Sequence, residues 1–373
     1  MRKNEKCKIE PFIIVVDERN KESHHYPVLG INKDKTFMPT AANMEGIDTS
    51  KYKVIRKGTF VFSGMQTGRD VCIRIGLYDE EAPALISPAY TTFKLDMGKN
   101  ILPEYFFLNF NREESDRYGA FISDSSVRAN LDWNRFLEIE IPLPSLAEQQ
   151  KVVNAWKALR EIKEQNEAVA APLMQVCQSY VQELKHKYES VEIGEYIEES
   201  NERNGEEKYS IKSVRGLAVS KGMIETKANM DGVSLKFYKL VKPHEIAFVP
   251  DTSRRGDKMS LGLNDTEQIF LVSSISCVFK ITDKEKLLTG YLYLFFCRPE
   301  FDRYARFNSW GSAREAFSFD DMKRVRIPLP PLSVQQAIVN IYNCANEAKQ
   351  IAAEADRMSR EVCPALIQHV IHN

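Results

Sequence analysis

The sequence predicts a mixed α/β (α+β) chain in which two homologous domains are separated by a pair of long coiled-coil helices, in a pseudo-two-fold internal repeat. Three observations carry this. A junction occurs twice, as IPLPSLAEQQKVVN from Ile141 to Asn154 and as IPLPPLSVQQAIVN from Ile327 to Asn340. The 186-residue shift between the copies holds far beyond the junction. After each junction, apolar residues step by three and four over about forty positions, the spacing of a coiled coil.

The junction itself is a strand-to-helix boundary. Proline fixes φ and removes a backbone donor, so the I-P-L-P half is extended and a helix can start cleanly behind it. Upstream, Tyr105–Phe121 lies over Tyr291–Phe307, Ser126-Val127-Arg128 over Ser312-Ala313-Arg314, Phe93-Lys94 over Phe279-Lys280, and Ala41–Gly46 over Lys227–Gly232. Before that the register slips, and Asp17–Asn20 and Tyr26 pair with Asn201–Asn204 and Tyr209. A period this long is duplication of a domain with its helix, not a solenoid of stacked short repeats. The expected boundaries are a first domain over 1–140, junction and helix over 141–190, a second domain over 191–326, and junction and helix over 327–373.

Residues 1–140 are mixed with a strand bias. Thr59–Phe62, Val71–Leu77 and Thr91–Leu95 are rich in β-branched and aromatic residues between Gly and Pro, and read as strands. Leu102–Asn109 opens a helix, and charged residues follow it at helical intervals. The second half repeats this with Glu245–Val249, Phe270–Ile281 and Tyr291–Tyr304, and the polar run 198–208 is an exposed loop.

In the first long helix the expected seam is Val152, Ala155, Leu159, Ile162, Asn166, Val169, Leu173, Val176 and Tyr180. The second reads Ile338, Ile341, Ala345, Ala348, Ala352, Ala355, Ser359, Val362 and Leu366. A bulky seam against an Ala-rich one lets two helices approach closely, so each is the other's natural partner, and an antiparallel pair is expected. Forty helical residues would span roughly 60 Å, enough to hold two domains apart. Pro172 and Pro364 should kink or break the helices. Asn166 is either a register-fixing polar residue or a solvated one near the bend.

A composition of 43% hydrophobic and 28% charged residues suits a globular protein with real cores. No apolar run approaches a membrane span, and Pro11–Val16 is too short for a signal-peptide core. Seven cysteines without a C-x-x-C pattern read as reduced cytosolic thiols. Chemistry is sparse: there is no phosphate loop, no Gly-rich dinucleotide turn and no Asp/Asn-Pro-Pro-aromatic stretch. Glu161/Lys163 and Glu206/Lys208 read as solvated charges, and His24-His25 as surface. The charge is near balance, −1 overall, with 20 Lys+Arg against 21 Asp+Glu in residues 1–140 and 22 against 21 in residues 191–328. A protein holding DNA alone through phosphates is normally more basic. Either its positive residues gather on one face, or another subunit supplies phosphate contacts.

A globular domain closing with I-P-L-P-x-L-x-x-Q-Q and a long helix, all repeated once, resembles the specificity (S) subunits of type I restriction–modification systems. The resemblance covers essentially the whole chain. Each junction also stands behind a G/S-S-x-R element. One departure is Val334, where the first copy has Glu148 and an acidic residue is usual. The resemblance implies a non-catalytic subunit of a prokaryotic, cytoplasmic complex, with two target-recognition domains that bind a split, asymmetric site in double-stranded DNA. It implies two methyltransferase subunits docked on the helices, among whose residues Val152, Trp156, Leu159, Ile338, Ile341 and Tyr342 are the expected contacts. It implies restriction subunits that join them for cleavage. It implies no cofactor and no metal on this chain, with S-adenosylmethionine, ATP and Mg on the partners.

Four stretches suit DNA recognition. Ser63–Asp70 places Gln66 and Arg69 between glycines, and Asp251–Lys258 places Arg254, Arg255 and Lys258 at the matching point. Arg can bridge guanine O6 and N7, and Gln can pair with adenine. Arg128 and Arg314 recur before the junction strand. Features common to halves that read different sequences belong to phosphate positioning or structure, which covers Arg69, Arg255, Arg128 and Arg314, whereas Gln66 and Arg254 differ and can discriminate. Arg117 and Arg303, inside D-R-Y, are expected to pair with their Asp neighbours or the fold. The alternative function is a scaffold whose duplicated domains bind two protein partners without DNA selectivity.

Overall fold

A computed structural model describes residues 6–252, 258–311 and 315–372, the side chains of 363 and 370–372 excepted. The chain divides into two compact units, residues 1–165 with 351–373 (unit 1) and residues 166–350 (unit 2), so both long helices are shared between them.

Unit 1 is built on an antiparallel sheet in the order Ile13–Val15, Thr91–Leu95, Phe60–Ser63, Arg74–Leu77. Alternation along these short strands turns Phe60, Phe62, Phe93 and Leu95 to one face, where the helix Pro103–Phe110 covers them. Phe60 stacks on Phe93 at 5.0 Å and meets the edge of Phe106 at 5.2 Å. A second sheet runs Phe37–Pro39, Val28–Ile31, Ala84–Ile86, Lys53–Ile55, its second and third strands parallel. Unit 2 repeats the first sheet with Ile197–Glu199, Cys277–Ile281, Ile246–Phe248 and Leu261–Leu263. Its counterpart of the second sheet is opened into a hairpin, Arg215–Ala218 with Gly222–Glu225, and a pair, Lys239–Val241 with Phe270–Val272. The parallel contact survives as a single bridge, Val214 to Leu271.

Three expected elements are shorter than the sequence suggests. The strand over Val71–Leu77 begins only at Arg74, because Thr67–Asp70 coils into a helical turn and Val71 takes φ 48°. Phe270–Ile281 is two strands separated by a turn in which Ser276 N–H donates to Ser273 O. Tyr291–Tyr304 is two helices, Thr289–Phe296 and Pro299–Phe307, since Pro299 starts the second helix and biases Arg298 to extended backbone.

The repeated junction is a clamp. Its strands pair with the entry of each domain, Lys6–Lys8 with Glu140–Pro142 and Ser190–Glu192 with Arg326–Pro328. The first glutamine of each pair is fully buried. Gln149 Oε1 accepts Leu102 N–H at 2.8 Å, and its Nε2 donates to Asn100 O and Pro144 O at 2.9 Å. Gln335 repeats this on Leu288, Lys286 and Pro330. Backbone groups buried at a helix entry need such partners. The second glutamine stays outside and bonds the next turn, Gln150 to Asn154 and Gln336 to Asn340.

The long helices span Leu146–Lys187 and Leu332–His372 and continue through Pro172 and Pro364, so neither proline breaks them. A proline costs about 3 kcal/mol in a helix interior, and the packed residues on either side outweigh that. In unit 1, Val152 and Val153 pack with Ile367, and Lys163 pairs with Asp356 at 2.8 Å. In unit 2, Val181 packs with Ile338, and Cys177 Sγ lies 3.9 Å from Ile338 O. Within each unit the helix segments therefore run antiparallel. The Ala-rich seam is as expected, with Ala345, Ala348, Ala352 and Ala355 all buried. The other seam is not. Ile162, Val169, Val176 and Tyr180 are exposed, and Ala170, Cys177, Val181 and Leu184 are buried in their place. Ala170, Cys177 and Leu184 keep the same seven-residue spacing, so the period is as expected and the phase of these positions lies one residue later, a rotation of about 100° around the helix.

Candidate nucleic-acid interface

Unit 1 brings together two of the stretches singled out in the sequence. The loop that leaves the strand Phe60–Ser63 is hydrogen-bonded along its length to the loop 124–131. Leu131 N–H donates to Gly64 O at 2.8 Å, Gly68 N–H to Ala129 O at 2.9 Å, and Gln66 N–H to Asn130 Oδ1 at 3.1 Å. The approach is close enough to require glycine. A Cβ on Gly64 would lie 1.9 Å from Leu131 O, and one on Gly68 would lie 2.9 Å from Ala129 Cβ. Gln66 and Ala129 both take positive φ, 59° and 46°, to make these bends. Asp124 holds the second loop by accepting Ser126 Oγ–H and the backbone N–H groups of Ser126 and Asn130. The Ser126 hydroxyl, ahead of the backbone donors, keeps its carboxyl below the usual range.

The paired loop carries two exposed arginines. Arg69 is exposed and donates to Gln66 Oε1 at 2.9 Å. Arg128 stands at the tip of the second loop, exposed, beside a fully exposed Val127. Beneath them Lys33, Arg69 and Arg74 converge on Asp70. Burial works against the Asp70 charge, but Lys33 and Arg74, with Arg69, outweigh it and hold the carboxyl below its ordinary value. Three cations around one carboxylate leave local positive charge in a domain that is neutral in total.

In unit 2 the described bases of the two corresponding loops are also bonded to each other. Phe317 N–H donates to Pro250 O at 2.8 Å, at the positions that Leu131 and Gly64 hold in unit 1, and Thr252 N–H donates to Glu315 O at 3.0 Å. The bases of the two loops are therefore paired. Lys258 is exposed at the end of the first. Arg254, Arg255 and Arg314 lie outside the described residues.

The six scaffold residues divide between core and half-buried positions. Val152 and Ile338 are almost fully buried in the cores of their own units. Trp156 is half-buried against Phe107, with the Arg160 guanidinium 5.6 Å from its ring centroid. Leu159 and Ile341 are half-buried. Tyr342 lies 3.9 Å from Cys297 Sγ, and burial pushes both groups up, the thiol to about 11.

Of the two expectations for Arg117 and Arg303, pairing with the Asp neighbours or with the fold, the first is not what forms. Asp116 pairs instead with the buried Lys35 at 2.8 Å, and Asp302 with Lys221. Both lysines stand in turns at positive φ, 60° and 64°, and reach back under the helix. Arg303 meets only Glu300, at 4.0 Å, and Arg117 has no ion pair among the described residues. Sequence reading missed both lysines. The available signal was that Lys35 and Lys221, like Asp116 and Asp302, keep the 186-residue shift. Among the described residues no group of three or more His, Cys, Asp or Glu could hold a metal, and no helix is long and apolar enough to cross a membrane.

A family model described as "Type I restriction modification DNA specificity domain" matches residues 8–170 and 253–343. A comparison with curated proteins finds no match. Among solved structures, a type I restriction–modification S subunit from M. genitalium is similar over 98% of this chain and 95% of its own, at TM-score 0.64 and 12% identity. The HsdS subunit from Thermoanaerobacter tengcongensis is similar over 98% and 96%, at TM-score 0.38 and 16% identity.

Proposed function

We propose, since this chain belongs to the type I restriction–modification DNA specificity family, that each of its units reads one half of a split, asymmetric site in double-stranded DNA. The observation that carries this is the pair of bonded loops present at matching positions in both units, with cationic and amide side chains at their tips in unit 1. The loop framework is common to the units, while the residues on it differ, as two readers of different half-sites require. The two helices, each shared by both units, fix the length of the gap. On this reading the chain catalyses nothing itself. Two methyltransferase subunits dock beside it and bring S-adenosylmethionine to an adenine in the target, and restriction subunits, with ATP and Mg, join for cleavage.

The loop residues separate by role. Arg128→Ala removes a phosphate contact, so affinity falls on every sequence and the salt dependence flattens by ~1 in slope. Gln66→Ala removes a base contact and costs ~1–3 kcal/mol on the cognate duplex, with much less effect on random DNA. For a two-bond contact to adenine, Gln66 must release Arg69, which now occupies its oxygen. Binding titrations of the chain with its methyltransferase partner, on both duplexes and across salt, test this. Equal losses on cognate and random DNA for Gln66→Ala contradict its assignment to base reading. An assembly with no sequence preference contradicts the function.

A further inference from the structure

Phe121 and Phe307 occupy corresponding positions of the repeat and are 83% and 81% exposed. A single exposed apolar side chain needs no explanation. The same exposure at the same place in both halves does. Each ring ends a helix, Glu113–Phe121 or Pro299–Phe307, whose opposite face is held rigidly. Asp116 and Asp302 are tied to the buried lysines and accept the backbone N–H of Ile73 and Met259. Gly119 sits so close to Ile73 that a Cβ would meet its side chain at 2.4 Å, and Ala305, at the matching position, is fully buried. One turn before each phenylalanine stand an arginine and a tyrosine, Arg117-Tyr118 and Arg303-Tyr304, at the spacing that shares a helix face. The result is a fixed, outward stripe of Arg, Tyr and Phe in each unit.

We propose that Phe121 and Phe307 are sequence-independent DNA anchors, each laying its ring against the duplex beside the half-site of its unit, with Arg117 or Arg303 on a neighbouring phosphate. This rests on the function proposed above. Duplex DNA is the occupant because the stripe is continuous with the paired loops. Phe121 runs directly into loop 124–131, and Ser123 Cβ would lie 3.1 Å from a Cβ on Gly68 in the Gln66–Arg69 loop. In unit 2, Arg306, next to Phe307, pairs with Glu315, whose carbonyl binds Thr252. The charge also matches, since Arg117 is exposed on the helix whose Gly119 approaches Thr67, next to the turn that carries Arg69 and the Asp70 centre of the Lys33, Arg69 and Arg74 cluster. An apolar ring on a sugar edge or a base step takes little sequence information, so it is a contact that units reading different half-sites can share.

The test uses the full-length chain with its methyltransferase partner, a duplex carrying the site found by methylation mapping, and a shuffled duplex. Phe121→Ala and Phe307→Ala should each weaken binding to both duplexes alike, by about tenfold, without changing the salt slope, because no charge is lost. Phe121→Trp should keep the affinity, and Arg117→Ala should reduce the slope by ~0.9. Alanine variants that bind both duplexes as tightly as wild type overturn the proposal. So does loss of the methyltransferase partner with DNA affinity otherwise retained, since a protein would then cover the stripe. A wild-type assembly that binds both duplexes equally overturns the parent function as well. A selective wild type with unaffected variants overturns the phenylalanine assignment alone.

Discussion

Asp302→Ala should be among the most damaging single substitutions in this chain, costing ~3–5 kcal/mol, because it strands a buried ammonium. Lys221 and Asp302 expose 7% and 11% of their side chains. The lysine also donates to Met259 O at 2.8 Å, and the carboxylate accepts Met259 N–H at 2.9 Å. Removing the carboxylate leaves an uncompensated charge and an unpaired backbone donor together. Burial already lowers the Lys221 pKa against the support of Asp302, so without that support the cost of keeping its charge rises. Lys221→Met combined with Asp302→Asn should recover most of the loss, since the amide oxygen still accepts Met259 N–H and no charge remains buried. Denaturant unfolding of the single and double variants decides it. A loss below ~1 kcal/mol for Asp302→Ala would mean that solvent reaches the pair and that it does not hold the stripe helix.

The fragment 1–190 should fold and form a homodimer. In the whole chain, Ile367 closes the cluster of Tyr105, Leu108, Val152 and Val153 in unit 1. Its counterpart by the repeat is Val181, which packs with Tyr291, Leu294 and Ile338 in unit 2. The fragment keeps Val152 and Val153 but lacks Ile367, and the nearest substitute is Val181 of a second copy. A dimer closed in this way has two-fold symmetry. Two identical recognition domains on a dyad read a palindrome, so with methyltransferase the fragment should direct methylation to a split palindrome of the first half-site. Bulky residues replace part of the Ala-rich seam, so the helices should stand wider apart and the gap should change. Analytical ultracentrifugation followed by methylation mapping checks both parts. A well-folded fragment that stays monomeric at high concentration, with and without methyltransferase, refutes the exchange.

The architecture was legible because duplication prints it twice. The junction strands, the aromatic helices and the antiparallel sheet all keep the 186-residue shift or its early slip. The purpose of the junction glutamine was not legible, since its partners, Leu102 N–H and Asn100 O, lie nearly fifty residues upstream. The Ala-rich seam was clear because Ala345, Ala348, Ala352 and Ala355 form one small-residue face. The first helix offers apolar residues side by side, Val169 with Ala170 and Val176 with Cys177, and a 3.5-residue step fits either member of each pair, so spacing fixes the period but not the phase. At the site, Gln66, Arg69 and Arg128 could be named as residue types. Their assembly depends on backbone bonds between loops about sixty residues apart, for which Gly64 and Gly68 were the only local signs. The lysine–aspartate pairs, 81 residues apart, look like ordinary surface charges until the turn at positive φ brings them together.

The central claim is that each unit reads its own half-site. Methylation mapping of a genome in which residues 191–328 are replaced by the matching domain of a homologue with a different target tests it most directly. The account predicts that one half-site changes while the other half-site and the gap stay as they were, because the helices proposed to set the gap are untouched. A swap that alters both half-sites, or that leaves the methylated site unchanged, contradicts it.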